Sequence, residues 1–475
     1  MDEILRIGKR SFFLSLAALL ILMAFAVFLS IHLPSGTFER VIVEGKEMLV
    51  AGSYKVVTKP ELRFYRYLSP PLEVLFSSDG PTVIVILLFL LILGGSFTIL
   101  LQSFMISMMM DRLSLRFEKR RFLLLFALSF FFMFSGAAFG VFEELIILVP
   151  FCIVLARKMG WDSLVGLGVS LLSAGLGFSA ALFNPFTLGV AQKLAGLPLY
   201  SATLFRLGVF LSIYLILQVF LLRYAKAIEK EAKSSLVYNE EPREDKFEEV
   251  LYPAKLSGAL SLFGRLLLLM PLFILWSVFS PIVSSLLFVL LALLFLFSSF
   301  FSVIHSGVMD FKKAWSSFIM GVIGVAPAIV LILLAMSIKL ILTRGLVMDT
   351  ILLKSVEFLS PLEGYSGVYA LFFLVMFLNF FISSGSAKAF LLLPILLPLT
   401  DYLQINRQIA VQAFLFGDGF SNLMYPTNAA LMIGLGFSVV SYPKWLRWTF
   451  PLQAVLILVS LFWLTLAHKM GLGPF

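Results

Sequence analysis

"SGSAKAFLLLPILLPL", residues 384–399, sets small polar residues before a lysine and a long apolar run. "SGAAFGVFEELIILVPF", residues 135–151, has nearly the same shape, with Glu143 and Glu144 where the other stretch has Lys388. Both runs suit the interior of a bilayer, where an ionisable side chain is expensive and normally faces a polar cavity. One unit written twice with the charge reversed poses two questions: what the duplication builds, and what the charges hold.

Composition settles the class. The chain has 475 residues, of which 60% are hydrophobic and 13% charged, with a mean hydropathy of +1.03. Residues 81–110 and 266–309 carry no charged side chain. Each exceeds the roughly 20 apolar residues that one membrane helix needs, and the second is long enough for two. The net charge of +9 sits in short loops, as it does in the cytoplasmic loops of membrane proteins, and implies no nucleic-acid partner. The single cysteine, Cys152, excludes an intrachain disulfide framework and argues against a cysteine-based zinc site. His32, His305 and His468 are far apart and show no metal spacing. "RIGKR" followed by an apolar run over 11–33 reads as an uncleaved first helix with a cytoplasmic amino end, rather than a signal peptide.

Charge and apolar runs divide the chain into five parts. Residues 1–33 hold the first membrane helix and 34–80 an extracytoplasmic loop, in which "RVIVEGKEMLV" suggests a small β-hairpin around Glu44-Gly45-Lys46. Residues 81–222 form a first repeat, 223–255 a charged cytoplasmic linker, and 256–475 a second repeat. A helix is expected from about Thr82 to Met110, followed by the basic cytoplasmic stretch "DRLSLRFEKRR" at 111–121. The run 122–156 is too long for one helix, is interrupted at Ser135-Gly136 and Gly140, and ends in Arg157-Lys158. Basic residues at both ends favour a re-entrant hairpin over two complete spans. The second hairpin covers 365–399 and is broken at 383–387.

Each repeat continues into a helix broken by proline. "FNPFTLG" at 183–189 and "NLMYPTN" at 422–428 both remove an amide hydrogen where a helix would run on. Gly177-Phe178-Ser179 matches Gly419-Phe420-Ser421, Pro185 matches Pro426, and equal counts from each proline reach Arg206 and Arg447. The charge rule opens the first hairpin to the cytoplasm and the second to the outside. The fold class is therefore an all-α polytopic membrane protein with inverted-topology repeats, two re-entrant hairpins and two broken helices. Such folds bring hairpin tips and helix ends together near mid-membrane, where free amides and carbonyls bind ions and carboxylates.

Four stretches carry a family resemblance: "GVFEELIILVPF" (140–151), "LFNPFTLGVAQKLAGLPLYS" (182–201), "SSGSAKAFLLLPILLPL" (383–399) and "FGDGFSNLMYPTNAALM" (416–432). The chain resembles the YfcC-type carriers, which are similar to the anaerobic C4-dicarboxylate carriers of the ion transporter superfamily. The resemblance implies a homodimer whose protomers pair a scaffold with a mobile transport domain, working by an elevator-type mechanism. It also implies sodium as a candidate ion at the hairpin tips, because better-known members bind sodium and substrate carboxylate through Ser-Asn-Thr motifs there. This chain departs from those motifs at Ser135-Gly136, Asn184-Pro185-Phe186-Thr187, Ser383-Ser384-Gly385-Ser386 and Pro426-Thr427-Asn428. Some relatives are associated with arginine and ornithine exchange, or with peptides.

Glu143 and Glu144 lie about one turn past the first interruption, Lys388 lies at the matching place in the second, and Asp418 lies just before the second helix break. Acids in a helix's first turn gain roughly 0.3–1 kcal/mol from its dipole, less than burial costs them. Lys388 opposes its own dipole and needs a partner. Asp418 offers one, which leaves open whether the lysine serves an internal ion pair or the solute. The candidate solute- and ion-binding residues are Ser135, Gly136, Glu143, Glu144, Asn184, Pro185 and Thr187 in the first repeat. In the second they are Ser383, Ser384, Gly385, Ser386, Lys388, Asp418, Asn422, Pro426, Thr427 and Asn428.

No Gly-x-Ser-x-Gly elbow, His-Glu-x-x-His pair or Walker loop occurs, so an enzyme or nucleotide-driven pump is not expected. Paired hairpins with opposed charges suit alternating access better than a channel. The expectation is a secondary transporter in the cytoplasmic (inner) membrane of a prokaryote, without a cofactor and coupled to sodium or protons. Its partners are the lipid bilayer and a small carboxylate-bearing solute. An amino acid, basic ones favoured, or a small peptide is preferred over a C4-dicarboxylate or short-chain carboxylate.

Overall fold

The first half of the chain begins with α1 (Lys9–His32), and Gly80–Gln102 forms α2, both apolar enough to cross a bilayer. The computed structural model describes residues 9–43, 46–60, 64–241, 252–359, 362, 364–382 and 384–473. Between α1 and α2 the strand Arg40–Val43 pairs antiparallel with Lys46–Leu49. This is the hairpin expected from the sequence; its Glu44-Gly45 turn lies outside the described residues. Seven helices among the described residues have the length and composition of membrane spans.

The helix expected to reach Met110 stops earlier. Helix α2 ends at Gln102, Phe104 takes a left-handed conformation (φ 62°), and α3 runs separately over Met105–Phe117. Met105, Ile106, Met108 and Met110 are buried in α3, while Arg112 and Arg116 are exposed and Asp111 turns to Lys158. The apolar run is thus shared between a span and an amphipathic helix, and amphipathic periodicity rather than total apolarity sets the boundary.

The first hairpin has limbs α4 (Arg121–Phe139) and α5 (Val149–Lys158), joined by Gly140–Glu143 and the short turn Glu144–Leu148. The interruption begins at Gly140. Its φ of +69° closes α4, and its amide hydrogen-bonds to the carbonyl of Gly136. Ser135 and Gly136, expected at the interruption, are instead helical within the last turn of α4. Next comes α6, Ser163–Ser179, capped by Asp162 and containing a π-turn over Gly168–Leu172. The break follows, and the chain resumes through a turn, Pro185–Gly189, into α7 (Val190–Leu194) and α8 (Thr203–Lys230).

The second half repeats this order. After α9 (Ala254–Leu267), α10 (Leu269–Phe279) and α11 (Pro281–His305) come α12 (Phe311–Val325) and α13 (Pro327–Arg344), then the amphipathic α14 (Met348–Leu359). The second hairpin is α15 (Gly364–Leu378) and α16 (Gly385–Tyr402). The second broken helix is α17 (Arg407–Ser421) and α18 (Ala429–Gly436), and α19 (Tyr442–Lys469) closes the fold.

Ion pairs sort onto two opposite ends. One end joins Lys158 to Asp111 (3.0 Å), Arg157 to Glu241 (3.2 Å), Arg121 to Glu229 (3.1 Å) and Lys444 to Glu240. There Tyr224 and Ser235 each donate to Asp162 at 2.7 Å, against a burial that pushes its carboxyl above the usual range. The other end joins Arg40 to Asp349 (2.9 Å), Lys339 to Asp79 (2.7 Å) and Arg407 to Asp401 (2.6 Å), and Asn406 donates to the Gly473 carbonyl (3.3 Å).

Candidate functional site

The hairpins and broken helices pack into one body. Helix α4 lies against the last part of α6, and α15 lies against α17. The two halves then interlock: α17 packs on α6, and α16 packs on α7 and on the Pro185–Gly189 turn. The turn Glu144–Leu148 touches α18. Each hairpin thus reaches the broken helix of the other repeat.

At the first break, Asn184 caps the resumed helix. Its Oδ1 accepts from the amides of Phe186 (2.9 Å) and Thr187 (3.2 Å), which proline leaves exposed by ending the ladder. At the second, Asn428 does the same for α18, accepting from Leu431 N at 3.1 Å. Asn428 Nδ2 also donates to Asn422 Oδ1 (3.1 Å). Ser384 caps α16, accepting from Ala387 N at 3.5 Å. Pro426 is buried behind the second break and Ser386 is half-buried in the first turn of α16, while Ser383 lies outside the described residues. Gly385 permits a close approach between repeats. A Cβ there would lie 2.7 Å from the Thr187 methyl and 2.9 Å from Asp418 Oδ2, so hairpin tip, first break and Asp418 meet at one point.

Lys388 is 0% and Asp418 1% exposed, and the two form an ion pair. The ammonium also donates to Asn379 Oδ1. Asn379 Nδ2 is turned toward the Asp418 carbonyl (3.0 Å), Ser421 Oγ (2.7 Å) and Asn422 Oδ1 (2.9 Å), so its oxygen must face the lysine. Asn379 was not anticipated from the sequence; a lone asparagine directly after the apolar run of α15 was the available signal.

The acidic pair behaves differently. Glu143 is exposed, Glu144 is half-buried, and neither forms an ion pair among the described residues. Ser135 and Gly136 sit in the last turn of α4, before Gly140, with Gly136 pressed on the backbone of Ala174 and Phe178. Four buried polar atoms at the breaks have no partner among the described residues: Asn184 Nδ2, Thr187 Oγ1, Asp418 Oδ2 and Thr427 Oγ1. Away from the breaks, Arg206 is 1% exposed; its Nη1 donates to the Ser201 carbonyl, while Nε and Nη2 have no partner among the described residues. Its repeat counterpart Arg447 is exposed. Among the described residues no group of three or more His, Cys, Asp or Glu is placed to hold a metal ion. A separate groove of about 750 Å³, lined by Phe25, Leu29, Tyr369, Phe373 and Phe377 among others, is almost wholly apolar and suits acyl chains rather than a charged solute.

Residues 12–469 match the family described as DcuC, C4-dicarboxylate anaerobic carrier. The chain belongs to that family. It is 31% identical over 407 residues to the protein of Escherichia coli (strain K12) named "Putative basic amino acid antiporter YfcC", covering 82% of this chain and 79% of that one. An uncharacterised protein of Haemophilus influenzae (strain ATCC 51907 / DSM 11121 / KW20 / Rd) is 24% identical over 382 residues, 79% of this chain and 74% of that one. Among solved structures, the Alcanivorax borkumensis YdaH transporter aligns with a TM-score of 0.42 at 17% identity, covering 98% of this chain and 100% of that one. Neisseria gonorrhoeae MtrF aligns with a TM-score of 0.41 at 15% identity, over 96% and 95%. This carrier is a multi-pass protein of a prokaryotic inner membrane and a secondary transporter of a small solute rather than an enzyme.

Proposed function

We propose that the solute is an amino acid, with basic ones favoured, or a small peptide, and that it binds between the two helix breaks. The observation that carries this reading is the set of unpartnered polar atoms at those breaks, Asn184 Nδ2, Thr187 Oγ1, Asp418 Oδ2 and Thr427 Oγ1. Buried polar groups lose free energy when unpaired, and a bound solute supplies their partners. An exposed carboxylate in the middle of an apolar run does not face acyl chains, so Glu143 is read as opening on a polar crevice, where a cationic group would pair with it. The E. coli relative's name, a basic amino acid antiporter, agrees with that charge. The family's description as a C4-dicarboxylate carrier favours the other reading, a dianion coupled to sodium or protons. Two carboxylates without basic partners repel such a dianion.

The moving unit in this proposal is the body formed by both hairpins and both broken helices, and its motion against α1, α2 and α11 to α13 is of the elevator type, in a homodimer. The two hairpins are re-entrant, opening to opposite sides. The end carrying residues 111–121, 223–255 and 444–447 faces the cytoplasm, together with the amino terminus; residues 34–80 and the carboxyl end face outside, following the Lys and Arg distribution. Single cysteines introduced into a Cys152→Ser background should label at residue 470 from outside and at residue 117 only after permeabilisation. Cytoplasmic labelling at 470 would remove the inverted repeat.

Uptake into proteoliposomes tests the solute class. Vesicles preloaded with arginine should accumulate labelled arginine and ornithine by exchange, and alanine or a dipeptide more slowly. Accumulation of succinate alone would overturn the amino-acid reading in favour of the dianion.

A further inference from the structure

We propose that the Lys388 ammonium permanently fills a monovalent-cation site made by Asp418 and Asn379, so that this carrier needs no alkali cation to complete its solute site. The inference deepens the proposed function and rests on its placement of that site at the helix breaks. Three features separate a tethered cation from an ordinary buried ion pair.

The first is the donor set. The ammonium is held by one carboxylate oxygen and one amide oxygen, with a second carboxylate oxygen, Asp418 Oδ2, buried and unpartnered beside it. Carboxylate and amide oxygens are the hard donors that alkali and alkaline-earth cations take. The second is the helix geometry. Lys388 lies in the first turn of α16, where the helix dipole opposes a positive charge. Asp418 and Asn379 instead gather it beside the last turn of α17, where the negative end of that helix's dipole favours a cation. The lysine's place is set by that cage, against the preference of its own helix.

The third is what the cage is tied to. Asn379 is locked by Ser421 and Asn422, and Asn422 accepts from Asn428, the cap of α18. Occupancy by a positive charge therefore orders the second break and the start of the next half-helix. A dissociable ion performing that role would leave and return in each cycle. A covalently held ammonium cannot leave, so the order is permanent and the transport cycle carries no alkali cation.

The test uses purified full-length protein melted in choline chloride, NaCl, KCl and LiCl at equal ionic strength. The wild type should melt at the same temperature in all four. Lys388→Ala empties the cage and leaves Asp418 unpaired. It should be destabilised in choline and recover with one alkali cation, the gain rising with the logarithm of its concentration as for any ligand of the folded state. Asp418→Asn in the Lys388→Ala background should abolish that recovery. Alkali-specific stabilisation of the wild type, or Lys388→Ala melting alike in all four salts, overturns the proposal. A second reading needs no variant: wild-type exchange of arginine, or of succinate where succinate proves to be the solute, should persist when choline replaces sodium on both sides. Its collapse overturns the proposal even where Lys388→Ala cannot be purified. The melting measurement contains no solute, so an error about the amino acid would leave its outcome unchanged.

Discussion

Lys388→Met is expected to lose about 3–5 kcal/mol of stability, the usual cost of leaving one member of a buried ion pair alone. The methionine fills the lysine's volume, so the loss reports the stranded Asp418 carboxylate and the freed Asn379 oxygen rather than a cavity. Asp418→Asn should cost a similar amount by stranding the ammonium. The double variant Lys388→Met/Asp418→Asn removes both charges, and it should sit within about 2 kcal/mol of the wild type, because only neutral hydrogen bonds are then unmade. The measurement is a denaturant or thermal melt of all four proteins in choline chloride, where no alkali cation can substitute. Additive losses in the double variant would mean the two charges are held separately, and the cage described above would not exist.

The sequence disclosed those parts of the fold whose causes are local. Pro185 and Pro426 remove helix donors wherever they occur, and Gly140 marks a left-handed backbone position, so both helix breaks and the first hairpin tip were legible. The break at Phe104 was not. A phenylalanine at φ 62° has no turn signature in the sequence. Asn379 was missed for a related reason. Its partners Lys388, Asp418, Ser421 and Asn422 are on other elements, and their meeting is a tertiary event. The repeat matched Arg206 with Arg447 by counting, yet one is buried with two free nitrogens and the other exposed. Duplication preserves spacing; it does not preserve environment once the copies pack against different neighbours. Asp418 carried both readings in the sequence, partner of Lys388 or ligand for the solute, and the geometry divides it. Oδ1 is held by the lysine, while Oδ2 stays unpartnered where Gly385 and Thr187 meet.

Under the proposed function, that division leaves the first hairpin to receive the solute's cationic end. With Lys388 paired to Asp418, the carboxylates of the proposed site without an ion pair among the described residues are Glu143 and Glu144. Glu143→Gln is therefore expected to weaken competition by arginine and ornithine roughly 10- to 100-fold, the equivalent of losing one charge-assisted hydrogen bond of about 1.5–3 kcal/mol. Glu143 is exposed and bears on no ion pair, so the substitution should leave the melting temperature close to that of the wild type. Succinate provides the opposite sign. Removing one negative charge lessens its repulsion, so its competition should hold steady or improve in Glu143→Gln. Alanine, with only its α-ammonium to offer, should lose less than arginine does, because a short side chain cannot span from the acidic pair to the amides of the second hairpin. The measurement is inhibition of labelled solute uptake by each compound in wild type and variant. Equal losses for arginine, alanine and succinate would place Glu143 in the structure of the hairpin rather than at the solute. Strong competition by succinate alone, unchanged in Glu143→Gln, would return the carrier to the dicarboxylate chemistry for which its family is described.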